Sequence, residues 1–127
     1  MAQRAILVVD DEDLMRSTLQ TTLSEAGYRV VTAADGKAAV EAVNRERFDA
    51  VLTDLFMPEM DGIELITDLK KTHADIPVIA MFHRGHFRSK ENLKFARLLG
   101  ARAILPKPFS NEQLLISLAF VLPEHPY

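Results

Sequence analysis

Five short runs of β-branched and aliphatic residues recur along the chain, at Ala5–Val9, Arg29–Ala33, Ala50–Thr53, Val78–Met81 and Ala103–Leu105, each followed by a helix-length stretch. Few folds accept that alternation. Strands joined by helical crossovers run parallel, and a parallel sheet buries both faces under helices. The expectation is therefore an α/β fold, a five-stranded parallel sheet, doubly wound as (βα)5. Met15, Leu19 and Leu23 repeat every four residues, as do Ala39 and Val43, and Leu65 and Leu69, each pair or trio marking one buried helical stripe. Asp35, Asp61 with Glu64, and Ser110 with Gln113 stand where helices should begin, and Gly27 and Gly100 where helices should end.

The 127 residues suit one domain spanning 1–127, with Pro123 to Tyr127 as a tail or linker stub that stops the last helix. A hydrophobic content of 48% is too high for a disordered chain. The net charge of −3 argues against nucleic-acid binding by bulk electrostatics, which needs a basic stripe. Without cysteine there is neither a disulfide framework nor a thiolate metal site, in keeping with a reducing, cytoplasmic setting. The longest apolar run falls well short of the roughly 20 residues of a membrane helix, so no membrane role is expected.

Chemistry gathers where the apolar runs end. Asp54 follows Ala50–Thr53 and precedes a Pro58 to Gly62 loop, Asp10 and Asp11 follow Ile6–Val9, and Lys107 follows Ala103–Leu105. Taken singly, such acids cap helices or shape turns, and such a lysine is an exposed loop base. Taken together, three close carboxylates stay ionised only if a cation sits among them or a pKa rises. Oxygen donors without nearby His or Cys suit a hard ion such as Mg²⁺, which takes one or two carboxylates together with phosphate oxygens. A carboxylate can also be a nucleophile toward phosphorus. On this reading Asp54 attacks, Asp10 and Asp11 hold the metal, and Lys107 pairs with the transferred phosphoryl group.

The segments Val8-Val9-Asp10-Asp11-Glu12, Asp54 to Gly62, Pro77-Val78-Ile79-Ala80 and Pro106-Lys107-Pro108-Phe109, in that order, resemble a response-regulator receiver domain of two-component signalling over residues 4 to 122. The resemblance implies a flavodoxin-like fold with strand order 2-1-3-4-5 and a cis bond between Lys107 and Pro108. It implies that Asp54 accepts a phosphoryl group from a histidine kinase or phosphotransfer protein, and that the Phe56 carbonyl joins Asp10, Asp11 and Asp54 around Mg²⁺. It implies a signalling protein that is not an enzyme. A hydrolase with an aspartyl-phosphate intermediate would instead need a second acid two residues after the nucleophile, where this chain has Phe56.

Two positions depart from the family. Thr or Ser normally follows the fourth strand, and here Phe82 stands there. The switch aromatic of the fifth strand aligns with Ile104. A phenyl ring donates no hydrogen bond to a phosphoryl group. Either Phe82 and Ile104 exchange places within the core volume, or the switch is different or absent, which leaves an interaction module with phosphate-independent output as the rival reading. His83 or Arg84, in a basic segment running to Lys90, can supply a replacement donor, or the segment is simply a solvated loop. His83 and His86 lack a third ligand and make no metal site.

The last helix is also unusual. Leu114 to Leu122 is apolar at every angle around the axis. With Leu114, Leu118 and Val121 toward the sheet, Leu115, Ile116, Ala119, Phe120 and Leu122 are expected partly outward, as a surface for a homodimer or an output domain.

Overall fold

The computed structural model describes residues 3–57, 62–83, 97 and 99–122. In chain order these form β1 (Ala5–Val9), α1 (Asp13–Glu25), β2 (Arg29–Ala33), α2 (Gly36–Arg45), β3 (Ala50–Asp54), α3 (Gly62–Thr72), β4 (Val78–His83), β5 (Ala103–Lys107) and α4 (Asn111–Val121). Every strand pair is parallel and the sheet order is β2-β1-β3-β4-β5, the doubly wound arrangement expected. The Asp61 cap, Arg84, His86 and the rest of the basic segment to Lys90, the helix-length stretch before β5, and the 123–127 tail lie outside the described residues.

Side chains alternate across the sheet and feed two separate cores. Leu7, Val9, Val51, Ala80 and Phe82 pack with Ala39 and Val43 of α2 and Leu65, Ile66 and Leu69 of α3. Ile6, Val8, Leu52, Ile79 and Met81 pack on the opposite face with Leu19 and Leu23 of α1 and Leu114 and Leu118 of α4. The periodic stripes read from the sequence are the buried faces of their helices.

Asp35 caps α2 by accepting from the Ala38 N–H at 2.8 Å, and Ser110 and Gln113 form a reciprocal capping box on α4. Gly27 and Gly100 adopt φ of 98° and 118°, the left-handed region open to glycine.

Three strands are longer than their apolar runs. β3 continues to Asp54, β4 to His83 and β5 to Lys107, because the ladder pairs Asp54 with Met81, Phe82 with Pro106 and His83 with Lys107. Pairing depends on backbone and overrides side-chain propensity here. Asp54, His83 and Lys107 are thereby strand residues held in register.

The outward face of α4 is narrower than expected. Leu122 is a correction: it is buried, with 8% exposure, in the core with α1. It is the C-cap residue, one turn after the buried Leu118 and next to Val121, so it continues the stripe that faces the sheet. Leu115 is half-buried against the same core. Ile116, Ala119 and Phe120 remain outward, Phe120 with 80% exposure.

Gly62 opens α3 directly against the end of β3, its N–H donating to the Leu55 carbonyl at 3.0 Å. A Cβ there would overlap the Asp54 carbonyl oxygen and approach Leu55 Cα to 2.7 Å. Both obstacles are backbone, so neither can rotate away. Gly62→Ala should cost about 1–3 kcal/mol by overpacking. Urea denaturation checks this, and an unchanged midpoint would remove the proposed close approach.

Candidate phosphoacceptor and metal site

The carboxyl edge of a parallel sheet collects whatever side chains terminate its strands, and ligands of open α/β sheets bind there. Asp10 directly follows β1, Asp54 ends β3 and Lys107 ends β5. Their exposures are 0%, 3% and 5%. Lys107 Nζ donates to Asp10 Oδ2 at 2.8 Å and to Asp54 Oδ2 at 3.0 Å, bridging the two acids. Backbone groups fix the remaining oxygens: the Glu12 N–H donates to Asp10 Oδ1 at 2.9 Å and the Phe56 N–H to Asp54 Oδ1 at 3.3 Å. The peptide bond between Lys107 and Pro108 is cis.

Burial pushes the Asp54 carboxyl above its ordinary value of 3.8. Lys107 pulls it back by hydrogen bond and charge, and Asp10 adds to the rise. For Lys107, burial works to lower the pKa, but the hydrogen bonds and charges of Asp10 and Asp54 outweigh it and leave the ammonium above 10.5. The lysine is therefore a fixed cation, and Asp54 is an acid with more basic character than usual.

Asp11 is exposed and stands beside this pair. One oxygen each of Asp10, Asp11 and Asp54 can be chosen so that all lie within 4.8 Å of one another. With Lys107 counted, three carboxylates and one ammonium carry a formal charge of −2. An all-oxygen donor set with that deficit fits a hard divalent ion such as Mg²⁺. Phe56, whose carbonyl the resemblance assigns to the metal, is half-buried and tied to Asp54 through its N–H.

Phe82, 3% exposed, lies in the core with α2 and α3, and Ile104 is half-buried against the same cluster. The two side chains share one face of adjacent strands. His83 is the last residue of β4, with its ring toward Glu12.

Three supports of the site were not read from the sequence. Arg16 Nη1 donates to the Asp10 carbonyl at 2.8 Å, Thr53 Oγ1 donates to the Asp54 carbonyl at 2.9 Å, and Gly62 gives way to that same carbonyl. Arg16 stands one turn into the helix after the acid pair, a spacing that points it back at the strand end. The other two carry no pattern visible before the chain is folded.

Residues 6–119 match the response regulator receiver domain family. Response regulator MprA of Mycolicibacterium vanbaalenii is 38% identical over 117 residues, covering 92% of this chain and 49% of that protein. MprA of Mycobacterium leprae is likewise 38% identical, covering 92% of this chain and 50% of that protein. The chain thus spans about half the length of the curated relatives it matches. Chemotaxis protein CheY4 of Vibrio cholerae is 34% identical with a TM-score of 0.87, covering 95% of this chain and 100% of that chain. The receiver domain of Francisella response regulator 1452 is 31% identical with a TM-score of 0.86, covering 94% and 96%.

The raised Asp54 pKa has a definite sign for stability. Ionisation of Asp54 opposes folding, so stability falls as pH rises from 3.8 through the raised value. The Lys107 contribution is complete below 10.5 and is lost as pH rises through its higher folded value. At pH 7 without divalent metal, Asp54→Asn should melt at or above the wild-type temperature. Lys107→Met should lose about 3–5 kcal/mol, because it strands two buried carboxylates. Thermal denaturation followed by circular dichroism gives the order, and a destabilised Asp54→Asn would contradict the assignment of burial as the dominant effect.

Proposed function

The chain belongs to the response regulator receiver domain family, and from that premise we propose that it is a phosphoacceptor that takes a phosphoryl group on Asp54 and signals by protein contact. The observation that carries this reading is the Lys107 bridge between Asp10 and Asp54. It keeps a cation at the acceptor oxygen while leaving Asp54 basic enough to attack. The donor is a phosphohistidine of a histidine kinase or phosphotransfer protein. An Asp54 oxygen bonds to phosphorus as the phosphorus–nitrogen bond breaks, and the departing imidazole keeps the electron pair and takes up a proton. Lys107, already 3.0 Å from Asp54 Oδ2, pairs with the new phosphoryl oxygens.

When bound, Mg²⁺ supplies positive charge against the incoming oxygens, held by Asp10, Asp11, Asp54 and the Phe56 carbonyl. The chain turns over no substrate of its own and is not an enzyme. Among the described residues no helix is long and apolar enough to cross a membrane, and a cytoplasmic location fits a partner kinase that acts on soluble domains.

A second reading is favoured by the core packing. Phe82 offers no hydroxyl to the phosphoryl group, and Ile104 is a short aliphatic residue at the switch position. The outward Ile116, Ala119 and Phe120 of α4 offer an apolar surface for a second copy or an output domain. A ligand that does not distinguish two conformations shifts neither. Output through α4 is then independent of phosphate.

Acetyl phosphate with Mg²⁺ should add a single phosphoryl group by intact-mass analysis, and Asp54→Asn should abolish it. A modified Asp54→Asn protein would overturn the acceptor. Millimolar Mg²⁺ should raise the wild-type melting temperature, since an ion bound only to the folded state stabilises it. An equal rise in Asp11→Ala would show that Asp11 is no ligand. Analytical ultracentrifugation with and without beryllofluoride separates the two readings. Association that Phe120→Glu removes and beryllofluoride leaves unchanged supports the phosphate-independent one, and association only with beryllofluoride supports the first.

A further inference from the structure

Asp54 ends a strand at the open edge of the sheet, yet its exposure is only 3%. A donor cannot reach a carboxylate so covered unless something at the strand ends gives way. In the sheet, β3 lies between β1 and β4, so the end of β3 is flanked by the turn from β1 into α1 and by the end of β4. Glu12 stands on the first flank as the N-cap of α1, with its backbone tied to Asp10 Oδ1 and its side chain making no capping bond. His83 stands on the second, paired in register with Lys107. Met81, two residues before it, faces the core shared with α1, so His83 projects to the α1 side as well. Its Nε2 lies 3.4 Å from Glu12 Oε1, joining residues 71 positions apart. The contact links the two flanks of the acceptor strand.

We propose that Glu12 and His83 form a clasp across the end of β3 that discriminates among phosphodonors, slowing small ones that bring no contact able to displace the imidazole. A protein donor that docks on the flanking turns opens the clasp with its own binding energy, and a free acyl phosphate does not. The proposal rests on the reading of Asp54 as acceptor. Both side chains are about half exposed, at 52% and 56%, so the contact is weak and its effect on access is about two- to fivefold.

Two measurements test it. With saturating Mg²⁺, His83→Ala and Glu12→Ala should each speed phosphorylation by acetyl phosphate by about two- to fivefold, and the double variant should gain no more than either alone, as for two halves of one contact. The second measurement needs no phosphoryl chemistry. The chain has no cysteine, so Asp54→Cys carries a single thiol at the acceptor position. Adding His83→Ala should raise its alkylation rate, and more for N-ethylmaleimide than for the smaller iodoacetamide. A general loosening of the fold would lower the melting temperature and also raise the modification of lysines far from the site, which the clasp leaves unchanged. If the wild type takes no phosphoryl group but the alkylation rates rise, the acceptor reading fails and donor selection falls with it, while the contact still governs access to the strand end. If phosphorylation proceeds and neither rate responds, or the two substitutions add independently, the clasp is overturned.

Discussion

Burying a lysine between two aspartates is the constraint around which the edge of this sheet is organised. Asp10, Asp54 and Lys107 come from β1, β3 and β5, and the sheet order puts β3 and β4 between the outer two. Only a long side chain crosses that gap. Removing any of these charges from water is costly, and mutual attraction offsets the cost only when hydrogen bonds satisfy the remaining atoms. Here they do: the Glu12 and Phe56 N–H groups take the outer oxygens, and no buried side-chain polar atom among the described residues lacks a partner. The register of β1, β3, β4 and β5 is thus tied to one point. A slip of one residue in the β1–β3, β3–β4 or β4–β5 ladder would turn an acid or the lysine toward a core.

The fold was legible because its signals are periodic. β-branched runs of about five residues, four-residue stripes, Asp35, Ser110, Gly27 and Gly100 all agree with one another and with the structure. What escaped was set by partners distant in sequence. β4 continues through Phe82 and His83 because β5 is beside it, and β5 continues through Pro106 because its ladder partner is Phe82. The acids and the lysine of the site stood out by type and position at run ends, whereas Gly62 and Thr53 support Asp54 through its carbonyl, which no side-chain pattern announces. The linkage of Glu12 to His83 likewise needed the order of strands before it had meaning.

A receiver keeps two tasks apart: taking a phosphoryl group, which depends on residues at the strand ends, and reporting it, which depends on residues behind them. On the proposed function the first set is Asp10, Asp11, Asp54 and Lys107, which the sheet edge brings together. The second has Phe82 where the family uses a hydroxyl and Ile104 where it uses an aromatic ring. Both side chains belong to the core formed with α2 and α3.

The sheet also works as a wall. Phe82 and Ile104 lie in the compartment under α2 and α3, while Leu114, Leu118 and the rest of the α4 anchor lie in the other. A side-chain rearrangement confined to the first compartment is insulated from the second by the backbone ladder between them. To be felt at Phe120, it must shift β4 or β5, the two strands that touch α4, against the hydrogen bonds of the ladder between them. Lys107 offers a shorter way round the wall, since it is bonded to Asp54 and only a three-residue loop separates it from α4.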